Sequence, residues 1–246
     1  CASHAGTPMH QQGALAILAK AGLGEHSLKC VLDRPLDEEL RRTAEPTRLA
    51  MNCSGKHAGM LATCVINGWP TDTYLEPTHP LQLAIKAEVE SMSGETVALT
   101  SVDGCGAPAH VMSLIGLARS LRNMATGAAG DEGLRIHRAM TSFPEMVGGP
   151  NRDVTLLMKG VPGLMAKDGA EGVFVAALSD GRAVALKIAD GANRPRPPLM
   201  QAALRTLGVD ISAVRSDAFS SIILGHGKAV GEVRIVGELA RLSGVS

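Results

Sequence analysis

Aromatic residues are nearly absent. Trp69, Tyr74, Phe143, Phe174 and Phe219 are the whole set in 246 residues. So few rings exclude the usual base-stacking platform for single-stranded nucleic acid. A surplus of either charge is also missing, because 24 Lys and Arg balance 24 Asp and Glu. A protein that binds nucleic acid through phosphates would carry a basic excess, so no nucleic-acid partner is expected. No uninterrupted apolar run approaches the roughly 18 residues of a membrane-spanning helix, so no membrane partner is expected. The cysteines are odd in number, at positions 1, 30, 53, 64 and 105. A secreted disulfide framework fits that pattern poorly, and the cytoplasm is the expected compartment. The chain opens at Cys1 rather than Met, inside a motif-like stretch, and is read as lacking its natural N-terminal portion.

What is present is an ordinary globular composition, 45% hydrophobic and 20% charged. The length suits a single domain, taken as 1–246. Good helix formers closed by glycine predict a helix over 10–22. A proline-led polar stretch predicts a short helix over 34–43. Leu81, Ile85, Val89 and Met92 form a 3.6-period stripe and predict a helix over 79–93. Residues 97–102 read as a strand, 107–124 as a buried helix and 131–142 as another helix. Two apolar runs meet at Asp180-Gly181, a strong hairpin signal. A helix over 198–208 and a strand over 231–236 complete the pattern. The fold class is α/β or α+β, with antiparallel strands among helices.

Four constellations carry chemistry. Asn52-Cys-Ser-Gly-Lys-His57 places six polar or small residues at the mouth of an apolar helix. Backbone N–H groups there attract anions, and Lys56 can favour the Cys53 thiolate; Ser54 can also simply cap the helix. Val102-Asp-Gly-Cys-Gly-Ala-Pro108 sits at the end of a strand, where loops often carry function. There Asp103 can orient a partner, and Cys105 can ligate a metal or act as a nucleophile. In Cys1-Ala-Ser-His4, neighbours in sequence rarely face one another, so Ser3 and His4 do not form a base–nucleophile pair with each other. Lys187 lies in an apolar strand, where burial would make it a neutral general base and a solvent-facing position would not. Cys64 reads as a small core residue. His110 and His137 read as core or surface residues.

Cys1-Ala-Ser-His4 with His10, Asn52-Cys-Ser-Gly-Lys-His-Ala-Gly-Met60, Val102-Asp-Gly-Cys105, Glu145-Met-Val-Gly148 and Leu186-Lys-Ile-Ala-Asp-Gly191 occur in that order. The series resembles the Rhizobium-type L-asparaginases, the asparaginase II family, over residues 1 to about 230. The resemblance implies a fold like that of serine β-lactamases and glutaminases, an antiparallel sheet flanked by helices and incomplete at the N-terminus. It implies hydrolysis of L-asparagine to L-aspartate and ammonia by Ser–Lys chemistry near zinc. By motif matching, Ser3 and Lys187 are the catalytic pair that this chain retains. Cys53, Lys56 and Cys105 match the zinc ligands. Asp103 matches the acidic residue near the substrate's amino group, and His4 is placed on the substrate side. A homodimer is expected. The family's Ser-x-x-Lys motif lies upstream of the Cys-Ala-Ser-His segment, and here no lysine has serine three residues before it. Cys30-Val-Leu-Asp33 also departs from the family pattern, which has glycine after the cysteine and histidine at the place of Asp33. Two other classes stay open: a non-enzymatic zinc- or amino-acid-binding remnant, and a cysteine hydrolase using Cys53 with His57.

Overall fold

The computed structural model describes residues 3–244. Cys1 and Ala2 of the first motif lie outside the described residues. The chain divides into two compact units, Cys1–Ser113 and Leu114–Ser246.

The first unit contains helices α1 (Pro8–Lys20), α2 (Glu38–Arg41), α3 (Ser54–Asn67) and α4 (Pro80–Ser93). A hairpin of β1 (Leu99–Val102) and β2 (Pro108–Val111) follows. Helix α3 buries Ser54, His57, Ala58, Leu61 and Cys64, spaced three or four apart along one face. That face joins Leu18, Leu28 and Tyr74 in a single apolar core. Helix α4 begins as the sequence suggests: Pro80 occupies the first turn, and the His79 ring accepts the Leu81 N–H. The helix expected over 34–43 shrinks to α2, with the Asp37 carboxylate accepting the Leu40 N–H. Around it, Asp33 bridges Thr47 and pairs with Arg41 at 3.3 Å.

The helix expected over 107–124 is a correction. Its first residues form β2, antiparallel to β1 with Thr100 opposite His110, and the helix α5 (Leu114–Thr126) starts only after them. Ladder bonds to β1 outweigh the modest helix preference of this alanine-containing stretch.

The second unit continues with α6 (Gly130–Ser142), α7 (Pro144–Val147) and α8 (Asp153–Gly160). A three-stranded antiparallel sheet follows, β3 (Met165–Asp168), β4 (Val173–Ala177) and β5 (Ala183–Lys187), in the order β3-β4-β5. Phe174 and Ala176 face a core shared with α8 and α9 (Arg196–Thr206). Val175 and Ala177 face the opposite core, against α5. Helices on both faces explain why β4 is apolar at every position rather than alternating. The expected Asp180-Gly181 hairpin joins β4 to β5, with Val173 opposite Lys187 and Gly181 at φ +95°. A second hairpin, β6 (Ile222–Gly225) with β7 (Lys228–Glu232), and α10 (Gly237–Ser243) end the described chain. Mixed helices and small antiparallel sheets agree with the α+β class.

Gly6 ties the N-terminal segment to the chain before α3. It adopts φ +73°, and a Cβ there would lie 2.4 Å from the Ala50 carbonyl oxygen. Both the backbone angle and the contact exclude a side chain. Gly6→Ala is expected to destabilise the protein by about 2–3 kcal/mol through strain and overpacking. Chemical denaturation measures this, and an unchanged midpoint would refute the close approach.

Candidate functional site

Two local devices build the site in the first unit. The first is the N-terminus of α3. The helix starts at Ser54, so Cys53 becomes the residue before its first turn and Lys56 lies within that turn. Ser54 does not act as the cap; its hydroxyl donates to the Leu49 carbonyl at 2.8 Å. The second device is the tight loop joining β1 to β2. The Asp103 N–H donates to the Ala107 carbonyl and the Gly106 N–H donates to the Asp103 carbonyl, each at 2.8 Å. This loop carries Asp103 and Cys105 at the tip of the hairpin.

These devices bring four residues together. One ligand atom from each of Cys53, Asp103 and Cys105 lies within 4.8 Å of the others. The Lys56 ammonium donates to Asp103 Oδ2 at 2.8 Å, and the Cys105 thiol lies 3.3 Å from the same oxygen. The two cysteines are buried, while Lys56 and Asp103 are 28% and 35% exposed. A cation in the first turn of a helix opposes the helix dipole; the Asp103 carboxylate offsets that cost. The four described cysteines are free thiols.

The electrostatics separate the two site thiols. A hydrogen bond from Cys53 is the main influence that lowers Cys105 to about 4; burial opposes it, and His57, the Ala107 backbone and Lys56 add to the lowering. The same contact with Cys105, together with burial, pushes Cys53 well above the usual thiol range. Cys105 is thus the more acidic of the two site thiols. Burial opposes the charge on Lys56, but the Asp103 hydrogen bond and both cysteines more than offset it and raise the amine above its usual value. Burial likewise opposes ionisation of Asp103, and Lys56 reverses that effect and holds the carboxyl below its usual range. Nearby, Cys30 is pushed up to about 11 by burial and then by Cys105.

Ser3 and His4 lie at the head of α3. Ser3 adopts a left-handed φ of 60°, and the Asn52 side-chain amide donates to its hydroxyl at 3.4 Å. His4 is buried, with Nε2 3.1 Å from the Ser54 hydroxyl and Nδ1 accepting the Gly6 N–H at 3.1 Å. Its ring stacks on His10 at 4.7 Å. Lys187 ends β5 in the second unit at an exposed position rather than a buried one, and its ammonium donates to the carbonyl oxygens of Glu171 and Ile188 at 2.5 and 2.6 Å.

Sequence reasoning missed Asn52 as the partner of Ser3, and Tyr74 as the buried neighbour of His57. The only available signal for Tyr74 was that it is the single tyrosine of the chain. It also missed a buried charge cluster in the second unit, where Asp168 meets Arg152, Lys167 and Arg196.

The fold and site define a mixed α+β protein whose thiol pair, amine and carboxylate meet where a helix mouth faces a hairpin tip. A family model described as L-asparaginase II matches residues 1–235. The chain belongs to that family, which makes it an L-asparaginase-type hydrolase with L-asparagine as the implied substrate. A search of the curated proteins gave no match. Among the described residues, no helix is long and apolar enough to cross a membrane.

Proposed function

We propose that the protein hydrolyses the side-chain amide of L-asparagine by Ser–Lys chemistry beside a zinc site, on a β-lactamase-like fold, as a homodimer. The observation that carries this reading is the cluster of Cys53, Lys56, Asp103 and Cys105, which the motif series singles out and which meet at one place. The direct test is ammonia release from L-asparagine by the purified protein, with L-glutamine as the competing substrate. No ammonia from either amide would leave only the binding-protein alternative.

The donor set suits zinc, because two sulfurs with one amine or carboxylate leave a position for substrate or water. Cys53, Lys56 and Cys105 would hold the ion. When bound, zinc would supply a positive charge that orients and polarises the substrate. Asp103 would then face the substrate's ammonium group. Lys56 must give up a proton to ligate, and Asp103 holds that proton on in the metal-free protein. Binding should therefore weaken as pH falls, as protons compete for the sulfurs and the amine. Calorimetry in buffers of different ionisation enthalpy counts the protons released. Wild type should release more than Lys56→Met; equal release with equal affinity would make the site Cys–Asp–Cys, with Lys56 outside it.

Ser3 and Lys187 are proposed as a catalytic pair. His4 would serve the substrate side through the hydrogen bonds that fix the segment bearing Ser3. Residues that act as one unit give non-additive losses. Ser3→Ala, Lys187→Met and the double variant should each lower kcat by a similar factor, about 100-fold or more. Losses that multiply in the double variant would separate the two residues.

A further inference from the structure

His10 stands in the same motif as Ser3 and His4, yet hydrolysis by Ser3 assigns it no part. It heads the buried stripe of α1, His10, Ala14 and Leu18, in which it alone is polar. The residue is 3% exposed, and its Nδ1 lies 2.8 Å from the Thr7 hydroxyl. Thr7 precedes the first turn of α1, where threonine commonly caps a helix. Among the described residues its side chain caps no helix N–H; it meets His10 instead. A buried polar ring is costly without a partner, so packing alone does not explain a histidine here.

The His10 ring lies parallel to that of His4, with centroids 4.7 Å apart and planes within 5°. The next residue, Gln11, donates its side-chain amide to the Gly6 carbonyl at 2.8 Å. The first turn of α1 thus grips residues 4–6 at two points. The head of α3 grips the same segment, with the Ser54 hydroxyl 3.1 Å from His4 Nε2. Just before α3, the Asn52 carbonyl accepts the His4 N–H at 3.1 Å. Ser3 comes next in the chain, at a left-handed φ of 60°. A residue other than glycine keeps that conformation only when its surroundings impose it.

We infer that His10 is a positioning residue for Ser3: its ring, packed face to face on His4, locks the segment that carries Ser3 against the head of α3. With His10 on its face, the His4 ring is held toward Ser54 and Gly6, and the backbone at Ser3 is fixed from both helices. His10 needs no contact with substrate in this role. The inference rests on Ser3 as a catalytic residue.

Two substitutions in the full chain separate the ring face from simple burial. His10→Leu keeps an apolar side chain of similar size and removes the flat ring, whereas His10→Phe keeps a flat ring. In ammonia release from L-asparagine, His10→Leu should lower kcat about 10- to 100-fold with little change in KM, the cost of a misplaced reacting group. His10→Phe should restore most of that loss. In a Ser3→Ala background His10→Leu should cost nothing further, because both act on one group. Independently of activity, the His4 ring protons should lose the shielding of a stacked ring in His10→Leu and keep it in His10→Phe, as read by NMR. If His10→Leu does not fold, Thr7→Val removes the partner of the His10 ring at equal shape and should give a smaller kcat loss of the same kind. Wild-type kcat in folded His10→Leu (or, in its place, in Thr7→Val), a His10→Phe no better than His10→Leu, or losses that multiply with Ser3→Ala would each overturn the inference. A fully active Ser3→Ala or an inactive wild type would instead remove the Ser3 reading, and the His4 shifts would then decide the ring placement alone.

Discussion

Replacing Asp168 by asparagine should destabilise the second unit by about 3–5 kcal/mol, the usual penalty for removing one partner of a buried ion pair. Asp168 is 6% exposed at the end of β3. Its carboxylate contacts Arg152 and Lys167, and it meets Arg196 at 3.2 Å. Arg196 also reaches Asp153 at 2.8 Å and lies over the Phe174 ring at 5.1 Å. Without Asp168, Arg196 would keep Asp153 as a carboxylate partner, while Arg152 and Lys167 would lose the carboxylate they contact. The change links α8, β3 and α9 in one effect, because each supplies or adjoins a charge. Burial opposes ionisation of Asp168, but Lys167, Arg152 and Arg196 outweigh it and depress its pKa. A depressed carboxyl contributes stability above its unfolded value of about 3.9 and loses it as pH falls through the folded value. Wild type should therefore lose stability in acid along a limb that Asp168→Asn lacks. Thermal melts from neutral to acid pH measure both effects. A neutral-pH penalty under about 1 kcal/mol would show that the cluster is solvated.

On the proposed zinc reading, Cys105→Ser should lower zinc affinity by more than about 100-fold, beyond the usual loss from removing a supporting residue. Cys105 is the more acidic of the two site thiols, held near 4 by the Cys53 hydrogen bond and its neighbours. It is thus the sulfur already able to bind as thiolate near neutral pH, whereas Cys53 must lose a proton that the contact retains. Serine keeps the size but ionises far less readily and is a poor zinc ligand. Cys64→Ser is the matched control, since Cys64 lies deep in the α3 core and outside the cluster. Equal zinc affinity in wild type and Cys105→Ser would exclude Cys105 as a ligand.

The hexapeptide at 52–57 and the loop at 102–108 stand out by composition alone. Small and charged residues have no packing reason to cluster at the start of an apolar helix. The Asp180-Gly181 hairpin and the stripe of α4 were legible for a related reason, since local backbone preference and apolar period agree there. The cytoplasmic expectation rested on cysteine usage and concerns compartment rather than contacts.

The segment after Cys105 was misread where local preference and tertiary pairing disagree. Pro108–Val111 has a composition that a helix accepts, yet it pairs with Leu99–Val102. That pairing makes the hairpin whose tip carries Asp103 and Cys105, so the strand missed in the sequence is the one that forms the site. The cluster at Asp168 was equally hidden, because residues 152, 153, 167, 168 and 196 show no shared pattern along the chain. The sequence by itself determined the site's residue types, the family and the helix–strand alternation, because these follow from motif order and local periodicity. Only the tertiary structure decided which side chains meet: the Lys56–Asp103 pair, the Cys53–Cys105 pair and the Tyr74–His57 bond. Each joins residues 17 to 52 positions apart, and such contacts arise from docking of whole elements, on which local spacing carries no information.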